Sequence, residues 1–139
     1  MTLVVDASIA GKWLVEEQGS IAAAGVLQHD GDLIAPDFII ADVCSVLWKK
    51  HRQGEISEDH ATEALKSLPL FFAELVDCRA LSERALEIAM TLDHAVYDCF
   101  YLALAESRNL PLITADQRLL ACLSKSDLAG LATGPDEIG

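Results

Sequence analysis

The chain has 139 residues, 52% of them hydrophobic, a mean hydropathy of +0.29 and a net charge of −12. That apolar content excludes a disordered chain, and the acidity excludes a protein that coats nucleic acid by bulk positive charge. No run reaches the ~18 consecutive apolar residues of a membrane span, and no basic stretch leads into a long apolar one, so a cytoplasmic protein without membrane contact is expected.

One domain over 1–139 is the simplest organisation, with 133–139 as a flexible tail. Residues 2–5 (TLVV) are apolar and β-branched, which predicts a buried strand. A short helix over 7–16 follows and breaks near Gly19. Ser20 then reads as the N-cap of a helix over 21–29. After the turn HDGD, a second strand is expected at 33–35. Pro36 and Asp37 open a helix over 37–52 that Gly54 stops. Ser57, with Glu58 and Asp59 behind it, caps a helix over 58–68. A third strand is expected at 74–78, helices at 80–91 and 96–108, and a fourth strand at 111–114. A short helix over 116–124 and a weak edge strand at 129–133 complete the chain. Short apolar strands alternating with helices predict a parallel sheet covered on both faces.

The four cysteines (Cys44, Cys78, Cys99, Cys122) form no CxxC pair and read as buried thiols. The four histidines (His29, His51, His60, His94) are scattered and support no zinc site.

The chemistry lies in acids placed where apolar residues are expected. In open α/β sheets ligands bind beyond the carboxyl ends of the strands. The first strand ends at Asp6 in VVDAS, and the fourth leads into Thr114 and Asp116 in LITAD. Asp42 interrupts DFIIADVCSVLW, and Asp98 interrupts AVYDCFYLALA. Each has a structural reading. Asp6 and Asp116 can cap the helices that follow them, Asp42 can pair with Lys49, and Asp98 can sit at a helix N-terminus. Together they suggest a shared crevice. Gathered carboxylates repel, and a hard divalent cation relieves the repulsion; oxygen ligands select Mg²⁺ or Mn²⁺. Such a site activates a water and steadies charge on a phosphodiester.

VVDAS, PDFIIADVCSVLWKKHRQGEIS, YDCFYLALA and LITADQRLL, taken in order from Leu3 to about Leu120, resemble the successive motifs of PIN-domain nucleases. The likeness is greatest to the VapC-type toxins of prokaryotic toxin–antitoxin pairs. The resemblance implies a three-layer α/β/α sandwich with a central parallel sheet and Mg²⁺- or Mn²⁺-dependent endoribonuclease activity. By position it makes Asp6 and Asp98 the principal metal ligands, with Asp116 completing the site. Ser8 and Thr114 match the supporting hydroxyl positions, and Asp42 fills the second acidic position. That family most often has Glu there; Asp is one methylene shorter and reaches roughly 1.5 Å less far. A small antitoxin protein, an RNA substrate and a homodimer, or a larger complex with antitoxin, are the implied partners. Lys12, Lys49 and Arg118 are the candidate RNA contacts, and His94 reads as a residue leading into its helix.

Two rivals fail on residue pattern. A phospho-acceptor receiver needs adjacent acids after the first strand, and a DxD phosphatase needs an acid where Ser8 stands. A non-catalytic PIN-like interaction module, binding an antitoxin or RNA with a degraded acidic site, stays open because of Asp42.

Overall fold

The computed structural model describes residues 1–137. The element order is β1 (Leu3–Val5), α1 (Ala7–Leu14), α2 (Ser20–Leu27), β2 (Leu33–Pro36), α3 (Ile39–Arg52) and α4 (Glu58–Ser67). Then come β3 (Glu74–Val76), α5 (Ser82–Leu92), α6 (Val96–Arg108), β4 (Leu112–Ile113), α7 (Gln117–Leu123) and β5 (Ala132–Thr133). Short 3-10 turns occupy Leu68–Phe71, Cys78–Ala80 and Pro135–Glu137. The last of these and Thr133 give regular structure to much of the tail expected at 133–139; Ile138 and Gly139 lie outside the described residues.

Every strand pair is parallel, and the sheet order is β3-β2-β1-β4-β5. The chain steps outward from β1 to β2 and β3, then returns to the opposite side of β1 to lay down β4 and β5. The order therefore reverses between β1 and β4, and side chains leaving the ends of those two strands meet at that reversal.

Side chains alternate along β1 and divide the core in two. Leu3 and Val5 pack with Ile9, Ala23, Val26, Leu33 and Ile113 on one face. Val4 packs on the other with Ile39, Val43, Ala85, Leu102 and Leu104, from α3, α5 and α6. The result is a three-layer α/β/α sandwich. Helix α6 is the most deeply set helix: Cys99 and Tyr101 through Ala105 are all buried. Full burial of a leucine such as Leu102 or Leu104 contributes roughly 1.5–3 kcal/mol, so α6 is a stiff mount for the polar groups it carries.

Local chemistry explains most boundaries. Ser57 Oγ accepts the His60 amide at 3.0 Å and starts α4 as expected. Asn109 ends α6 in the left-handed conformation, φ 53°. Ser20 differs from expectation: it is the first residue of α2, its hydroxyl accepts the Glu17 amide, and Gly19 (φ 89°) holds the cap position. Helix α3 starts at Ile39 rather than at 37 because Pro36 belongs to β2, in register with Val76. Asp37 is then drawn toward β3, its N–H donating to Val76 O and its carboxylate accepting the Cys78 amide. All four cysteines are free thiols; Cys99 is buried and the other three are half-buried. Among the described residues no helix is long and apolar enough to cross a membrane.

Candidate active site

Asp6 sits one residue past β1, in extended backbone (φ −99°, ψ 177°), and is 5% exposed. Its Oδ1 accepts the amides of Ser8 (3.1 Å) and Ile9 (3.3 Å), so the carboxylate caps α1. The Ser8 hydroxyl donates to the same oxygen at 2.5 Å. None of these three bonds uses Oδ2. The capping reading of Asp6 is therefore correct, and it leaves half of the carboxylate for another task.

Ser8 ties the end of β1 to the end of β4. Its Oγ accepts the Ala115 amide at 2.9 Å and lies 3.3 Å from Thr114 Oγ1. Thr114, fully buried, accepts the Asp116 amide at 3.0 Å. Asp116 Oδ1 in turn accepts the amides of Arg118 and Leu119 and caps α7. Both supporting hydroxyls expected from the sequence thus hold backbone as well as acid.

The remaining acids come from helices. Asp98 lies in the first turn of α6, where the helix dipole favours an anion. Its Oδ2 accepts a hydrogen bond from His94 Nε2 at 2.7 Å. Asp42 lies in the first turn of α3 and is half-buried. Its Oδ2 accepts a hydrogen bond from the Tyr101 hydroxyl at 2.9 Å. The charge of Lys49 favours the ionised form of Asp42, but the hydrogen bond comes from Tyr101.

Electrostatics joins three of the acids. Burial pushes the Asp6 carboxyl up to about 6; Ser8, Thr114 and the Ile9 amide pull it down, and the charge of Asp98 pushes it further up. Burial also raises Asp42, against the Tyr101 hydrogen bond, and Asp98 again adds to the rise. Asp98 thus faces both. Asp116 is joined to this group through Thr114 and the backbone.

The donors are carboxylates and hydroxyls, the type that suits a hard divalent cation. Among the described residues, however, no three of the His, Cys, Asp and Glu side chains stand close enough to hold one ion. One oxygen of Asp42 is held by Tyr101, one of Asp98 by His94, and one of Asp116 by its own helix, so each of these acids, like Asp6, has its second oxygen outside those bonds.

The cations are placed unevenly. Lys12 is turned onto Glu17 (2.8 Å) and the Gln18 carbonyl (3.0 Å), while Lys49 and Arg118 are exposed. Lys12 lines a cavity of 670 Å³ with Gln18, Ala115 and Gln117; none of Asp6, Asp42, Asp98 and Asp116 lines it. Two residues here escaped sequence reasoning in their actual roles. Tyr101 lay in an apolar run that reads as core, although a buried tyrosine hydroxyl normally requires a partner. His94 lies outside α6, two residues before its first turn, and meets Asp98 because the non-helical backbone at Ala95 folds the imidazole back over the start of the helix.

A family model described as "PIN domain" matches residues 3–122. Over 121 residues the chain is 35% identical to "Ribonuclease VapC3" of Pyrobaculum aerophilum, covering 86% of this chain and 92% of that protein. It is 36% identical, also over 121 residues, to "Ribonuclease VapC1" of Mycobacterium tuberculosis, covering 85% of this chain and 88% of that one. Among solved structures, PAE2754 from Pyrobaculum aerophilum superposes with a TM-score of 0.72 at 25% identity, covering 98% of this chain and 90% of that one.

Proposed function

Because the chain belongs to the PIN-domain family, in its VapC-type branch, we propose that it is the toxin of a toxin–antitoxin pair and a divalent-metal-dependent endoribonuclease. The observation that carries this reading is the buried Asp6, with one oxygen fixed by Ser8 and Ile9, facing the charge of Asp98 at the reversal of the sheet. Asp6, Asp98 and Asp116 would hold Mg²⁺ or Mn²⁺, Ser8 and Thr114 would support them, and Asp42 would complete the catalytic set. A bound cation supplies Lewis acidity toward a phosphoryl oxygen and lowers the pKa of a water. The chain's own residues do the rest: Ser8 fixes Asp6, Thr114 aligns the backbone of Asp116, and Lys49 and Arg118 offer charge to the RNA backbone. An acidic crevice also suits a small antitoxin with a basic segment.

A second reading is favoured by the arrangement as it stands. With one oxygen each of Asp42, Asp98 and Asp116 bound within the fold and no three-acid cluster among the described residues, the geometry alone better fits a PIN-like interaction module that binds antitoxin or RNA without cleaving it. The names of the relatives favour cleavage. The two readings separate in one experiment on purified chain and RNA with Mn²⁺. Cleavage that falls at least ~100-fold in folded Asp6→Asn and Asp98→Asn proteins supports the nuclease. Binding of RNA or antitoxin with no cleavage, at millimolar Mn²⁺, establishes the module.

A further inference from the structure

Tyr101 is a large polar side chain in the most buried helix, and its ring is 1% exposed. It lies three residues after Asp98, so both project from one side of α6. Its hydroxyl donates to Asp42 Oδ2 at 2.9 Å, on the neighbouring helix. The phenol is also within the field of Asp6, and the Ala7 amide at the head of α1 acts on its oxygen. One hydroxyl therefore stands where three of the four acid-bearing segments converge, those of Asp6, Asp42 and Asp98.

The ring cannot drift. Phe38, just before α3, packs against Tyr101 and Phe100 with centroids 5.3 Å away in each case, and against Tyr97 at 6.1 Å. These tilted aromatic contacts fix the start of α3 against α6. The Asp42 carboxylate is thereby anchored by a group whose own position is set by packing. Aspartate has one torsion fewer than glutamate, so holding one oxygen leaves the carboxylate little remaining freedom.

We propose that Tyr101 is a positioning residue: its hydroxyl commits one oxygen of Asp42 and so fixes the other relative to Asp98 and Asp6. The inference rests on the metal-binding reading of the crevice. It gives the Asp42 position a defined geometry that its side-chain length alone does not supply. Groups that orient a ligating carboxylate typically change metal affinity by 10–100-fold when removed.

The test uses the full chain and calorimetric titration with Mn²⁺, with thermal unfolding followed in parallel. Tyr101→Phe removes the hydroxyl and keeps the ring. It should weaken Mn²⁺ binding about tenfold. In the Asp42→Ala background the same substitution should change affinity by less than about twofold, because the group it positions is already gone. Unchanged affinity in Tyr101→Phe, with wild type binding normally, overturns the positioning role alone. An equal loss with and without Asp42 also overturns it, since Tyr101 would then act through packing. Wild-type protein that takes up no Mn²⁺ at millimolar concentration overturns the metal reading itself and this inference with it.

Discussion

At the scale of single residues, Asp6 is a buried acid whose ionised form the fold disfavours. Its carboxyl is pushed up to about 6 from an ordinary 3.8, chiefly by burial. Between those values the folded chain holds a proton that the unfolded chain has released, so stability falls as pH rises through that window. The full gap is worth about 3 kcal/mol once pH exceeds the folded value. Metal-free wild type should therefore resist urea better at pH 5 than at pH 7. Asp6→Asn, which keeps the cap on α1, should lose that slope; a flat wild-type profile would mean that Asp6 ionises freely in the fold. The sequence made Asp6 and Thr114 legible because an acid and a hydroxyl close otherwise apolar strands. It marked Asp42 and Asp98 as charges in apolar runs. The partners of those two, Tyr101 and His94, were not legible in role. Tyr101 meets Asp42 only when α3 and α6 pack together, 59 residues apart in the chain.

At the scale of elements, several acids do two jobs, and substitutions can separate them. Asp116 caps α7 through Oδ1 and is also a proposed ligand. Asp116→Asn keeps an acceptor for the cap and should unfold at nearly the wild-type urea midpoint, while cleaving RNA more slowly. Asp116→Ala should lose about 1 kcal/mol of stability as well. If both variants unfold alike, the cap contributes nothing measurable. Boundaries set by local chemistry were readable in the same way. Helix α6 spans the expected 96–108 because Asn109 can adopt the left-handed turn that ends it. Boundaries set by pairing were not. Pro36 was drawn into β2 by its neighbour Val76. Strand β4 is two residues long, shorter than its apolar sequence, because only Leu112 and Ile113 find partners on both sides.

At the scale of the whole molecule, the net charge of −12 leaves most cations beside an acid of the chain. Lys12, Lys50, Lys66, Arg79, Arg84 and Arg108 are each in an ion pair with an acid of the chain. Arg52 lies over the Trp48 ring at 4.5 Å. If Lys49 and Arg118 make the phosphate contacts, the affinity for single-stranded RNA should fall with salt at a log–log slope of about −1.4. Fluorescence anisotropy on the Asp6→Asn protein would measure it. A slope near −4 would mean that paired cations, Lys12 first among them, release their acids to bind RNA.

The placement of β1 between β2 and β4 also decides when the crevice can exist during synthesis. Asp6 and Ser8 leave the ribosome well before the hydroxyl that meets Ser8, which belongs to Thr114, 106 positions later. Sheets built from such distant segments assemble late. A nascent chain therefore carries an unfinished site, and the acids come together only after the segment bearing Thr114 and Asp116 has emerged.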